Sequence, residues 1–244
     1  LEVIAMASDT ILDRRQGMLV VGFTAAGVFD LMEADKASVA YTQLSTDTNT
    51  VKTLLSAIAG ATLTPFTHCK AYTITYDSED SLISTYIPAD DFQVSFNESR
   101  LSAFKKLITK TNCKAIIKAD GAIHVSNPTV SGTTYAYEYN DAATNHNFFE
   151  KGTRKRLVIP TKRIVSSHPD ASPSYTGNAT DTASETALGR SLPDHTYIRA
   201  VSNAQCTAVA GALLQNDQVA AELGHGIVPM NCGQEVMDYV KITD

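Results

Sequence analysis

Apolar positions along the chain follow two periods, one close to 3.6 residues and one of 2, and the two alternate. Between Thr50 and Gly60 the apolar residues are Val51, Leu54, Leu55, Ile58 and Ala59, spaced i, i+3, i+4, i+7 and i+8. That spacing predicts a helix with a single buried stripe. Thr48 and Asn49 are N-cap candidates and Gly60 stands at the C′ position. A second helix, over about residues 99–110, places Leu101, Phe104, Leu107 and Ile108 on one face and Lys105, Lys106 and Lys110 on the other. A short helix is expected over residues 28–34. An Ala-rich one starts near Asn203 and continues through Leu214.

Extended segments lie between the helices. Residues 17–24, 38–41, 71–76 and 82–87 read as strands, as do 135–139, 157–159, 163–165 and 235–242. The segment after the second helix is a hairpin centred on Asp120-Gly121, and its hydrophobic pattern selects the register. A two-residue loop would pair Ile117 with His124 and mix polar with apolar on both faces. A three-residue loop, Ala119-Asp120-Gly121 with Gly121 left-handed, pairs Ile117 with Ile123 and Ala115 with Val125, which gives one apolar face. Residues 166–194 are rich in Ser, Thr, Pro, Gly, Asn and Asp, and predict a long surface loop. Gly224-His225-Gly226 reads as the turn ending the last helix, because it follows a helix rather than opening one and so lacks the context of a phosphate loop.

A length of 244 residues suits one large or two modest domains. The net charge of −6 argues against general affinity for nucleic acid, which needs a basic surface. Cysteines 69, 113, 206 and 232 form no C-x-x-C pair, so they read as free thiols, most of them buried. No apolar run approaches ~18 residues, and no signal-peptide pattern opens the chain. It starts on Leu1, and we read it as a piece of a longer polypeptide.

Catalytic motifs are missing from the sequence: it has no H-E-x-x-H, G-x-S-x-G, Walker A loop or complete G-x-G-x-x-G. His68-Cys69 would point to opposite faces of a strand and fail as a base–nucleophile pair. The acidic positions 77–80 and Asp90-Asp91 match no Ca²⁺-loop spacing and read as solvated turns, as does His146. Two glycosylation sequons, at Asn97 and Asn178, carry little weight without a secretory context. No metal or cofactor is expected. One charge anomaly stands out: Lys151, Arg154, Lys155, Arg156, Lys162 and Arg163 cluster within an acidic chain. The plain reading is a strand with a solvated basic face. The functional one is a channel lining or subunit contact that meets an acidic partner or passing nucleic acid.

The order of these elements carries a resemblance. The run from Thr50-Val51-Lys52-Thr53-Leu54-Leu55 through Glu98-Ser99-Arg100-Leu101 to Ala119-Asp120-Gly121-Ala122-Ile123 resembles the α/β module of phage tail-hub (baseplate-hub) proteins, which are related to the hub part of contractile-injection spike proteins. The last helix and the strand after Gly233-Gln234-Glu235 are similar to that family's second tube-like β-barrel. The resemblance implies an α+β chain of tube-like antiparallel β-barrels with an inserted helix–hairpin α/β module. Residues 1–45 would close a first barrel, 46–128 form the α/β module, and 129–244 form the second barrel with the long loop and one packed helix. It implies a non-enzymatic homotrimer in the virion tail, joining the tail tube to the tail tip, with tape-measure and tip or fibre proteins as partners and DNA in passing contact. The alternative is a stand-alone surface or carbohydrate-binding β-rich module, which the Thr- and Tyr-rich strands favour. A hydrolase whose carboxylates converge only in the folded chain is a third class.

Overall fold

The computed structural model describes residues 5–6, 11–13, 20–22, 25–89, 91–129, 133–140, 149–155 and 157–243, with the backbone alone for those before 26 and for 153–155 and 222–224. Near the N-terminus, β1 (Ala5–Met6) pairs with β4 (Ala25–Ala26), and β2 (Ile11–Asp13) with β3 (Val20–Gly22). The segment expected as a strand over residues 17–24 is described only at β3.

Three helices form where the 3.6-residue period places them. In α1 (Val28–Ala34), Asp30 accepts the Gly27 N–H and the helix buries Val28 and Met32. In α2 (Val51–Ala59) the whole apolar stripe is buried, and the capping oxygen belongs to Thr50, which accepts from the Thr53 N–H. Gly60 keeps a negative φ; the left-handed residue is Ala61, at φ 54°. In α4 (Arg100–Ile108), Ser99 caps the N-terminus by accepting from the Ser102 N–H. Its buried face holds Ala103, Phe104, Leu107, Ile108 and Arg100, whereas the expected Leu101 is only half-buried. Between α2 and α4 lie β6 (Ile74–Ser78), α3 (Ser81–Thr85) and β7 (Gln93–Val94); β7 pairs with β5 (Tyr41–Thr42). The expected strand over 82–87 is therefore mostly the α3 helix. Leu82 and Ile83 within it and Tyr86 at its C-cap are buried, at a helical spacing. The expected 38–41 strand reduces to the short β5.

The hairpin of β8 (Lys114–Ile117) and β9 (Ile123–Ser126) has the register that the hydrophobic pattern selects: Ile117 opposite Ile123 and Ala115 opposite Val125. Gly121 sits at φ 77°, as the three-residue loop requires. β9 also pairs in parallel with β6, giving a sheet ordered β6-β9-β8. The helices α1 and α2 pack on α4.

The C-terminal part departs further from expectation. After β10 (Tyr137–Asn140) and β11 (Glu150–Lys155), the segment expected as a loop over residues 166–194 instead builds most of a sheet. β12 (Lys162–Ser167) runs antiparallel to β13 (Thr176–Thr180); α5 (Thr182–Leu188) crosses over; β14 (Pro193–Ile198) lies parallel to β12. The helix α6 (Asn203–Ala221) covers one face of β12 and β13. It approaches closely because Gly177 lies under it: a Cβ there would stand 2.3 Å from the Thr207 backbone nitrogen. Residues 224–226 are not a turn but the middle of β15 (Glu222–Ile227), which pairs antiparallel with β11. The expected 235–242 strand shortens to β16 (Val240–Thr243), parallel to β10. The molecule is thus α+β. Among the described residues the sheets are small and none closes into a barrel. The main core runs from Val28 and Met32 through α2, α4 and β9 to Val165, Ile198, Val209 and Ala212, so α6 and its sheet pack onto the α/β module.

Candidate functional site

The basic run is divided between two sheets. Lys151, Arg154 and Lys155 lie on β11, opposite Gly226, Leu223 and Glu222 of β15, while Lys162 and Arg163 lie on β12. Arg156 lies outside the described residues. Lys151 donates to the Ile242 carbonyl of β16 at 3.2 Å and so bridges the two ribbons. Arg163 faces inward. Its guanidinium forms a bidentate pair with Asp217 of α6, at 2.6 and 2.9 Å, and a further pair with Asp194 of β14. Hydrogen bonding to Asp217 raises its pKa still further, and the side chain fastens α6 to the sheet.

The two ribbons β10–β16 and β11–β15 are narrow and open-edged. Within the described residues each of their strands has one strand partner, leaving unpaired N–H and C=O groups along the outer edges. Large apolar side chains stand exposed beside them: Phe149, Ile227, Met230, Val236 and Met237, with Met230 at 93%. The ribbon cores are nevertheless specific. Tyr139 is buried and donates to Gln234, Tyr135 stacks on Tyr239 at 5.1 Å, and Lys241 pairs with Glu138 at 2.7 Å. At Gly152 a Cβ would collide with the His225 ring at 2.2 Å, so only glycine lets the imidazole pack against the strand there.

Two polar clusters, neither anticipated from the sequence, lie in the α/β module. Arg100 is fully buried, and all five of its N–H groups are used: Nε and Nη2 donate to the Ile58 carbonyl, Nη2 also to Ala59, and Nη1 to the Lys70 carbonyl and to Asp35. It closes the C-terminal end of α2, where orphan carbonyls and the helix dipole attract a cation, and it lies over the Tyr72 ring. The second cluster centres on His124. Its Nδ1 is 2.9 Å from Asp77 and its Nε2 is 2.9 Å from Asp120. Two carboxylates can both be satisfied only if both ring nitrogens donate, so this geometry holds an imidazolium. Hydrogen bonds that His124 donates to Asp120 and then to Asp77 push its pKa up. Lys118, paired with Asp77 at 2.9 Å, and His124 in turn hold the Asp77 carboxyl low. Lys118 also reaches Glu235 at 3.9 Å, which connects the hairpin to the turn before β16.

The remaining sequence candidates have structural partners. Asp80 precedes α3 and accepts from the Asn112 N–H; Asp91 accepts from Tyr86 and Lys110; Asp90 and His146 lie outside the described residues. Among the described residues no group of three or more metal-ligating side chains converges. His68 and Cys69 lie in a turn after the 3₁₀ segment Thr64–Phe66, not in a strand, and their side chains touch at 3.6 Å. Burial, reinforced by Asp35, raises the Cys69 pKa and keeps the thiol neutral. The four cysteines form no disulfide: Cys113 and Cys206 are buried, Cys69 is half-buried and Cys232 is exposed. Among the described residues no helix is long and apolar enough to cross a membrane.

No protein-family description matches the sequence, and neither does any curated protein. Solved structures do match. The 43 kDa tail protein of prophage MuSo2 from Shewanella oneidensis superposes with a TM-score of 0.58 at 10% identity, over 97% of this chain and 68% of that one. The tail protein from Neisseria meningitidis MC58 also gives 0.58 at 10% identity, over 88% of this chain and 60% of that one. At such identity the likeness is one of fold, and the chain has the fold of these two phage tail proteins.

Proposed function

We propose that the chain is a structural component of a phage tail, and more narrowly a tail-hub protein whose copies form a ring between tail tube and tail tip. The observation that carries this reading is the likeness of fold to tail proteins over 97% of the chain. Its action is geometric rather than catalytic. The ribbons β10–β16 and β11–β15 are too narrow to stand as independent sheets, since three or more strands are generally needed. In the proposed assembly residues 1–45 contribute to one tube-like barrel and 129–244 to a second, with neighbouring copies covering the open edges and the exposed Phe149, Ile227 and Val236. A head-to-tail interface has to close by rotation or it runs on as a filament, and three copies with two barrels each would give a pseudo-sixfold ring. In this reading Lys151, Arg154, Lys155, Arg156 and Lys162 are the candidates to meet a neighbouring subunit or to line the channel through which DNA passes, while Arg163 serves the internal fastening of α6.

Tail-tube, tape-measure and tip or fibre proteins are the partners this reading requires, and the virion tail is the location. Immunolabelling of isolated tails with antibody against this chain tests it. Label confined to the end of the tail tube supports the hub reading. Label along the whole tube, or intact tails without the chain, would overturn it.

A further inference from the structure

β12 and β14 run parallel, so their C-terminal residues Ser167 and Ile198 lie side by side. Beyond them the chain leaves β12 through residues 168–175 and leaves β14 through 199–202, and the turn around Ala89 and Asp91 faces them from the α/β module. These three stretches enclose a cleft of about 350 Å³ lined by Ala89, Asp91, His168, Asp170, Tyr197 and Arg199. That volume lies within the range of small-molecule sites, about 300–1,000 Å³. Its floor is aromatic. Tyr197 stands 51% exposed, flanked by His168 with ring centroids 6.5 Å apart and by His195 at 6.2 Å. The row continues out of the cleft onto the open face of the sheet. Tyr197 lies opposite Ser166, His195 opposite Ile164, and these in turn lie opposite Thr176 and Asn178. That is the face away from α6, because Val165 and Ile198, on the other side of the strands, are buried in the core.

We propose that this cleft binds a neutral saccharide, with the Tyr197 ring as its platform. The C–H groups of a pyranose carry partial positive charge and meet the negative face of an aromatic ring. Sugar hydroxyls donate and accept, which suits a wall where carboxylates that only accept stand beside a guanidinium that only donates and an imidazole. Charge fixes the ligand class. Asp91 is already paired with Lys110 at 3.1 Å and Asp170 with His168 at 3.4 Å, and Arg199 adds a positive charge to the same lining, so the lining has no dominant sign. An anionic ligand such as a nucleic acid would meet the exposed Asp170 carboxylate; a hydroxyl would not be repelled. The side chains that would hold the sugar come from residues 91, 168–170 and 197–199, so the site exists only in the folded chain.

Saturation-transfer NMR on the full chain tests the proposal, with hexamers of glucose and of N-acetylglucosamine and a ten-residue polyproline peptide as probes at millimolar concentration. At least one oligosaccharide should receive transfer. Tyr197→Ala should weaken that binding by about tenfold, the scale of one aromatic platform, and Tyr197→Phe should retain most of it. Both variants should melt like the parent, since the ring is half-exposed. Transfer to the peptide alone, to no probe, or equally in the parent and Tyr197→Ala would overturn the proposal. Because none of these residues lies on the β10–β16 or β11–β15 ribbons, the oligomeric state of Tyr197→Ala should equal the parent's, which separates failure of this site from failure of the ring.

Discussion

Arg100 shows how much one charged side chain can organise. It joins the end of α2, the segment at Lys70 and Asp35 after α1, and no other side chain could satisfy three backbone carbonyls and a carboxylate at once. Arg100→Ala should cost on the order of 3–5 kcal/mol, because it leaves Asp35 without its cation and removes five guanidinium hydrogen bonds from a buried site. Urea unfolding measures this, and Arg100→Lys should recover only a minor part, since an ammonium cannot reproduce the planar fork. His124 carries the pH dependence. A histidine whose folded pKa is raised contributes stability that is complete below its unfolded pKa, about 6.5, and lost as pH rises through the folded value. Asp77 and Asp120 are lowered, so their share is present above the unfolded carboxylate range, near 3.9, and lost as pH falls through their folded values. The melting temperature should therefore decline on the alkaline side, as pH rises above about 6.5 and through the raised folded pKa of His124. His124→Asn should flatten that decline; an unchanged profile would show that the clamp does not form. Neither residue was evident from hydropathy, which assigns charged and imidazole groups to the outside. No sequence clue marked Arg100: Gly60 stands where a left-handed cap is expected, and only the structure shows it at φ −80°, with the left-handed residue at Ala61 and the guanidinium on the last carbonyls of α2.

At the scale of elements, legibility follows the size of the buried side chains. α1, α2, α4 and the β8–β9 register were all readable because Val, Leu, Ile and Phe fill their inner positions. Leu55→Ala should cost about 2–5 kcal/mol through lost contacts and a cavity, read as a lower urea midpoint. β13 was not readable. Its core-facing positions are Gly177 and Ala179, small enough for the α6 backbone to lie directly on the strand, and that composition imitates a loop. Gly177→Ala tests this packing directly: a methyl placed 2.3 Å from the Thr207 nitrogen has to displace α6, at a cost of about 1–3 kcal/mol. A neutral result would mean that the helix stands farther off. β15 was hidden in the same way, by glycines at 224 and 226 that break any hydrophobic alternation. In α3 the buried Leu82, Ile83 and Tyr86 were present in the sequence, but a helix of five residues is too short for its period to stand out from a strand's.

For the whole molecule, one core couples the α/β module to α6 and its sheet, while among the described residues the ribbons at the two ends of the chain are narrow and open-edged. That contrast, a well-packed body with unfinished sheets, is what assembly would resolve. Nothing in a single chain's hydropathy specifies how many copies complete it, because symmetry is a property of surfaces that meet rather than of residues along a chain. Cryo-electron microscopy of the native tail is the most direct test of the central claim. The account predicts threefold density at the tube's end, with ribbon strands of adjacent copies side by side around an open channel lined in part by the Lys151 to Lys162 segment. A lone copy, or a twofold dimer without a central channel, would contradict it.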